Sequence, residues 1–193
     1  MVIDGTSGRI GNNQLRREPA LRYGAVSRTF HWVTVALVLM AAIFGLWIAH
    51  ARPDDEAFKL TLYNIHESIG VTIGVVTLAR LAWRVGHPPP TLPSNLPRAL
   101  AWAARTNHAA LYTWLLAMPV VGFVATNAWG FPVNWFGLVP LPDPVGKNVP
   151  LAETLTFVHR LMAWSLFCMV ALHATAAVWH QFIRRDGTLR KML

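Results

Sequence analysis

Apolar residues run in four long stretches that charges interrupt only at their ends. Residues 29–51 lie between Arg28 and Arg52, and 60–79 between Lys59 and Arg80 with Glu67 the one charge inside. Residues 106–142 lie between Arg105 and Asp143, and 161–183 between Arg160 and Arg184. A bilayer core takes about 20 apolar residues per helix, so the pattern predicts four membrane-spanning helices. The third stretch is too long for one span. Trp129, Gly130, Pro132, Gly137, Pro140, Pro142 and Pro144 break its second half, so the helix is expected to end near Asn127 and residues 128–150 to form a loop rich in Trp and Phe. Pro88, Pro89, Pro90, Pro93 and Pro97 make residues 86–97 a stiff, non-helical connector between the second and third helices. Pro119, inside the third helix, predicts a kink that neighbouring helices must compensate.

Composition agrees with a membrane bundle. Of 193 residues, 54% are hydrophobic and only 13% charged, where a soluble domain carries roughly a quarter charged residues. That excludes a water-soluble globule and leaves no room for a sizeable extramembrane domain. The formal charge of +8 serves orientation and lipid contact before nucleic acid, which is not an expected partner. The expected amino tail, the connector between helices 2 and 3, the helix ends beside it and the carboxyl tail hold Arg9, Arg16, Arg17, Arg22, Arg28, Arg80, Arg84, Arg98, Arg105, Arg184, Arg185, Arg190 and Lys191. The opposite side holds Arg52, Lys59, Lys147 and Arg160, so both termini are expected in the cytoplasm. That outer face also carries Asp54, Asp55, Glu56, Asp143 and Glu153 and is not basic overall. Residues 1–22 read as a retained basic tail and not a signal peptide, with residues 23–193 as a single transmembrane domain. The lone Cys168 has no internal partner, and a Cys-x-x-Cys-His haem attachment motif is absent from the sequence.

Eight histidines in so apolar a chain carry the chemistry, because ionisable groups at membrane depth are costly and usually functional. His159, His173 and His180 are separated by 14 and 7 residues, and a heptad drifts only about 20° on a straight helix, so they form a column on one face. His159 and His173 lie about 21 Å apart along the axis. That makes two levels, too far apart for one metal ion. Helix 2 offers His66 near its outer start, which pairs with His159. Helix 1 offers His31 near its inner start, which pairs with His173, although by depth His108 and His180 compete for it. Facing imidazoles at two levels suit bis-histidine haem, in which iron carries electrons and leaves no open position for oxygen. Gly70 and Gly74 follow His66, and Gly45 lies 14 residues past His31, where small residues would pass the flat macrocycle or serve helix packing. Arg80 can pair with an inner haem propionate or anchor the inner surface. His108 and His180, with Trp179 nearby, form a rim pair suited to a quinone carbonyl. His50 and His87 receive no role.

The ordered set Ser27, Arg28, His31 and Trp32; Asn64, Ile65, His66, Gly70, Arg80 and Arg84; His108, Pro119, Val120 and Gly122; and His159, His173 and His180 resembles the bacterial cytochrome b561 family from Tyr23 onward. The resemblance implies an all-α four-transmembrane-helix bundle enclosing two non-covalent b haems in a bacterial inner membrane. The iron ligands it implies are His31 and His173 for the inner haem, and His66 and His159 for the outer. A superoxide oxidase of that family passes electrons from periplasmic superoxide through both haems to ubiquinone, and the positions matching its quinone contacts are His108 and His180. Lys59 and Arg160, with Lys147, are the outer cations able to guide superoxide. The competing expectations are a cytochrome subunit linking a periplasmic redox protein to quinone, and a histidine-based metal transporter. The transporter reading is short of carboxylates at depth, where the spans offer only Glu67.

Overall fold

The computed structural model describes residues 22–50, 55–88 and 97–193. The basic tail up to residue 21, the loop 51–54 with Arg52 and Asp54, and residues 89–96 of the proline connector lie outside them. Four helices hold most of the described residues: α1 (Ala25–His50), α2 (Glu56–Gly86), α3 (Arg98–Trp129) and α4 (Val149–Trp179). Each is long and apolar enough to cross a membrane. Their outward faces carry large exposed apolar residues such as Leu39, Ile43, Val75, Leu78, Phe157 and Trp164, the surface a lipid-facing helix must present.

The helices are longer than the uncharged stretches. α3 begins at Arg98, so His108 lies three turns inside it and does not open it, and α4 begins at Val149 and contains Glu153 and Arg160. Charged residues bound the part of a helix at hydrocarbon depth and not the helix itself, because long side chains at the rims reach water. Asp55 caps α2 by accepting from the Ala57 and Phe58 amides at 2.9 and 3.2 Å. α3 runs through Pro119 and stops two residues past Asn127, where Gly130 at φ 90° takes the left-handed conformation that ends a helix.

α1 packs on α2, α2 on α3 and α3 on α4. α4 therefore leans on α3 and reaches the other two helices through side chains. A small apolar layer of Ile69, Ile73, Leu115 and Leu166 fills the middle, with Leu37, Val38, Phe44, Met118 and Met169 packed round it. Trp114 Nε1 donates to Ser165 Oγ at 2.7 Å and ties α3 to α4.

The connection from α3 to α4 folds along the flank of α2. Its short antiparallel strands, β1 (Asn134–Trp135) and β2 (Val139–Pro140), bring the Phe136 amide to Ser68 Oγ at 2.7 Å and Trp135 Nε1 to Thr72 Oγ1 at 3.2 Å. Asn64 Nδ2 donates to the Asn134 carbonyl at 2.7 Å. Ser68 and Val133 are thereby buried. The loop expected over 128–150 is thus a hairpin bound to one helix.

At the other end α4 continues into a π turn, His180–Arg184. The chain then returns over the start of α1. Trp32 Nε1 donates to the Met192 carbonyl at 2.9 Å, the Tyr23 amide donates to the Lys191 carbonyl at 3.2 Å, and the Arg28 guanidinium donates to Leu193. We call this the inner end, following the charge-based orientation. By residue count from Arg28 and Arg184, His31 and His173 would differ in depth by about 12 Å, yet their ring centres lie 6.3 Å apart.

Candidate functional site

The column on α4 alternates function and packing. His159, Leu166 and His173 succeed one another at seven-residue spacing, so the buried Leu166 separates two histidine levels. At the outer level the His66 and His159 ring centres lie 6.1 Å apart at an interplanar angle of 79°. At the inner level His31 and His173 lie 6.3 Å apart at 63°. The α2–α4 and α1–α4 pairings expected by depth order are both present. Of the competitors for the inner level, His108 lies 5.2 Å from His173, and His180 turns to Asp186.

A metal–imidazole bond of about 2.0 Å on each side, with about 1.1 Å from each nitrogen to its ring centre, sets two ligands of one iron about 6 Å apart. Both cross-helix pairs have that spacing. His108 and His173 are closer than it. The rings also suit ligation chemically. His66 Nδ1 lies 3.0 Å from the Ala41 carbonyl; donating there would leave Nε2 free for a metal, the usual arrangement for a metal-bound histidine. The Met118 carbonyl stands to His159 as Ala41 does to His66. No set of three or more His, Cys, Asp or Glu side chains gathers for a bare ion among the described residues. Two paired imidazoles fit a haem iron, whose other four ligands come from the macrocycle.

Glycines clear the outer level. A Cβ at Gly45 would stand 3.1 Å from His66 Cε1, and one at Gly122 would stand 3.1 Å from His159 Cε1. The predicted role of Gly45 beside the outer site thus has a geometric counterpart, with the imidazole itself as its neighbour. Gly122 is the equivalent position for His159, which the reading of haem contacts did not single out; its signal was a glycine one turn past the proline of α3. Gly70 has open space beside it, and Gly74 meets Pro119 at 3.7 Å in helix packing.

The inner level is polar. His31 packs edge-on to Trp32, ring centres 5.2 Å apart. Arg80 lies over the Tyr112 ring at 5.3 Å and Arg84 over the same ring at 5.7 Å, and neither forms an ion pair with a carboxylate among the described residues. His108 Nδ1 lies 2.7 Å from the Ala104 carbonyl of its own helix. His180 lies edge-on to Trp179 and its Nδ1 is 2.5 Å from Asp186 Oδ2. His108 and His180 thus have different partners, His108 beside the inner pair and His180 at the helix end. Burial alone would raise the Asp186 carboxyl, but hydrogen bonds from Thr188 and His180 outweigh it and hold the group below its ordinary range.

At the outer end Lys59 pairs with Glu56 at 3.7 Å across exposed surface, while Arg160 is exposed one residue after His159. Lys147 lays its aliphatic stem on Gly130. Glu67, the one carboxylate within the spans, accepts from Thr126 Oγ1 at 2.9 Å and links α2 to α3.

The profile of the prokaryotic cytochrome b561 family matches residues 22–193. Cytochrome b561 homolog 2 of Escherichia coli K12 is 34% identical over 173 residues, covering 89% of this chain and 91% of its own. A probable superoxide oxidase, CybB, of Yersinia pestis is 28% identical over 175 residues, covering 89% and 96%. Cytochrome b562 of Cereibacter sphaeroides is 26% identical over 186 residues, covering 93% and 98%. Four apolar helices, histidines paired across them at two levels and a family match along the whole described bundle lead to one identification: the chain is a member of the prokaryotic cytochrome b561 family, multi-pass inner-membrane electron-transfer proteins that bind b-type haem.

Proposed function

We propose that this protein carries electrons across the membrane through two non-covalent b haems, from superoxide at the outer face to ubiquinone at the inner. His66 and His159 hold the outer haem and His31 and His173 the inner. The carrying observation is the pair of cross-helix imidazole spacings, 6.1 and 6.3 Å, at two levels of one helix. When bound, each haem supplies a one-electron carrier whose potential the surrounding protein tunes. The chain's own part is structural and protonic. α4 presents His159 and His173, one to each haem, Gly45 and Gly122 leave room beside the outer rings, and Arg80 would serve the inner level as a counter-charge for a propionate. His108 and His180 serve the quinone at the inner rim, where its reduction needs protons. The bundle from residue 23 acts as one unit, with residues 1–22 as a basic cytoplasmic tail.

The superoxide assignment draws on the named relative of Yersinia pestis and on the exposed Arg160 beside His159. Lys59 is the second guiding cation, partly offset by Glu56. The deciding experiment combines a reduced-minus-oxidised spectrum and a haem count with a superoxide assay. Two extractable b haems per chain and steady superoxide consumption on adding ubiquinone are expected. Two haems without superoxide consumption would instead support a cytochrome subunit that takes electrons from a periplasmic redox protein. Absence of haem after expression with ample supply would overturn the ligand set.

A further inference from the structure

The end of α4 is built with more care than a helix terminus needs. At His180 the helix changes to a π turn that runs to Arg184, a local departure often found at functional sites. Arg185 then adopts φ 54°, a left-handed conformation that is unfavourable for a residue with a side chain. The result is that Asp186 comes back beneath His180. Its amide donates to the His180 carbonyl at 3.3 Å, and its Oδ2 lies 2.5 Å from His180 Nδ1. The other carboxylate oxygen accepts from the Thr188 amide at 3.1 Å and the Thr188 hydroxyl at 2.6 Å. Arg184 Nε lies 3.7 Å from Oδ2, and its guanidinium sits over the Trp179 ring at 5.7 Å. The His180 and Asp186 side chains are both only 18% exposed. Thr188 and Arg184 hold the carboxylate, and the carboxylate holds the imidazole.

We infer that Asp186 is a positioning residue for quinone reduction: it fixes the His180 imidazole with its proton on Nδ1 and presents Nε2 to the quinone. The inference rests on the proposed role of His180 at the quinone and adds the residue that acts through it. A ring nitrogen bound to a carboxylate is fixed in tautomer and orientation, so the other nitrogen alone meets the substrate. His180 lies one heptad, about 10 Å, beyond His173 toward the inner rim, between the proposed inner haem and water. Quinone becomes quinol by taking two electrons, which the haem carrier supplies, and two protons, which come from water at this face. In the step assigned to His180 an O–H bond forms on the quinone as the Nε2–H bond of the imidazolium breaks. The Nδ1–H bond stays intact, hydrogen-bonded to Asp186, and Nε2 regains its proton from the water.

The test is a double-mutant cycle on the haem-loaded protein, with a short-tailed ubiquinone as acceptor and reoxidation of the chemically reduced haem followed by absorbance. Asp186→Asn should slow reoxidation about 10-fold or more, the scale at which loss of such an outer partner is felt, while the haem spectrum and haem count stay unchanged. In the His180→Ala background the same substitution should have no further effect. Equal losses in both backgrounds would reduce Asp186 to a structural residue and overturn the inference. An Asp186→Asn protein as fast as the parent would do the same. A parent protein that leaves ubiquinone unreduced would instead overturn the proposed function itself. Should Asp186→Asn fail to load haem, nitrogen-15 spectra of labelled histidine in the parent decide the matter: neutral His180 protonated on Nδ1 supports the inference, and neutral His180 protonated on Nε2 overturns it.

Discussion

The two histidine levels are alike in spacing and opposite in surroundings. The outer pair is walled by backbone: Gly45 against His66, Gly122 against His159, and the Ala41 carbonyl on His66 Nδ1. The inner pair is walled by side chains, with His108 at 5.2 Å from His173, Trp32 edge-on to His31, and Arg80 and Arg84 over Tyr112 close by. Glycine and a backbone carbonyl give no proton, so these walls suit a carrier that passes electrons alone. A site lined by imidazole, guanidinium and phenol offers protons and counter-charge where a quinone would need them. Under the proposed function, electron entry and proton-coupled exit fall at opposite ends of one helix.

Removing axial ligands breaks that comparison most completely. His66→Ala or His159→Ala should abolish the outer haem and leave the inner, His31→Ala or His173→Ala the reverse, each halving the extractable haem; retention of both haems in the His173 variant would refute the pairing. Glycine walls come next. Gly122→Leu should drive a side chain into His159 and cut outer-haem occupancy several-fold, whereas Gly70→Leu, with open space at its Cβ, should spare the contact between His66 and His159. An equal loss in both variants would show that the glycine contact with the imidazole is not what is at stake.

The inner side is sharpened by His108→Ala, which should leave two haems and slow quinone reduction about 10²-fold, the low end of a general acid's contribution. Haem loss in that variant would make His108 a ligand. Ser165→Ala removes the acceptor of the Trp114 bond and should cost only about 0.6 kcal/mol, typical of an interhelical hydrogen bond in a membrane, read as a small drop in thermal midpoint with the spectrum intact. Smallest is the acid response of the carboxyl tail. The Asp186 carboxyl is held below its ordinary range, so its contribution is complete above the unfolded value of about 3.9 and fades as pH falls through the lower folded value. Proteolysis of the tail should therefore stay slow at pH 5 and quicken only in stronger acid.

Much of this was legible in the chain. The four spans follow from the uncharged stretches, and the two histidine levels follow from 14-residue spacing on α4, because hydrophobic length and helical period are local properties. The same locality explains the errors. Charges bound a span and not a helix, so α3 and α4 begin ahead of the uncharged stretches 106–142 and 161–183, and His108 lies three turns into α3. Gly122 carried only the signal of a helix glycine until His159 was seen beside it. Asp186 was hidden among the charges of the tail, since nothing in the order His-Gln-Phe-Ile-Arg-Arg-Asp announces a turn that brings its last residue back to its first.

By itself, then, the sequence determined the solvent, the number of crossings, the orientation it favours and the inventory of imidazoles, all set by where apolar and ionisable side chains fall along one dimension. The turn that returns Asp186 to His180 is local; packing alone settled that α4 meets α1 and α2 through histidine, and that glycine backs one pair and side chains the other. Those are contacts between residues up to 142 positions apart, as His31 and His173 are. Such pairings arise from how helices pack around a shared interior, which no local period encodes.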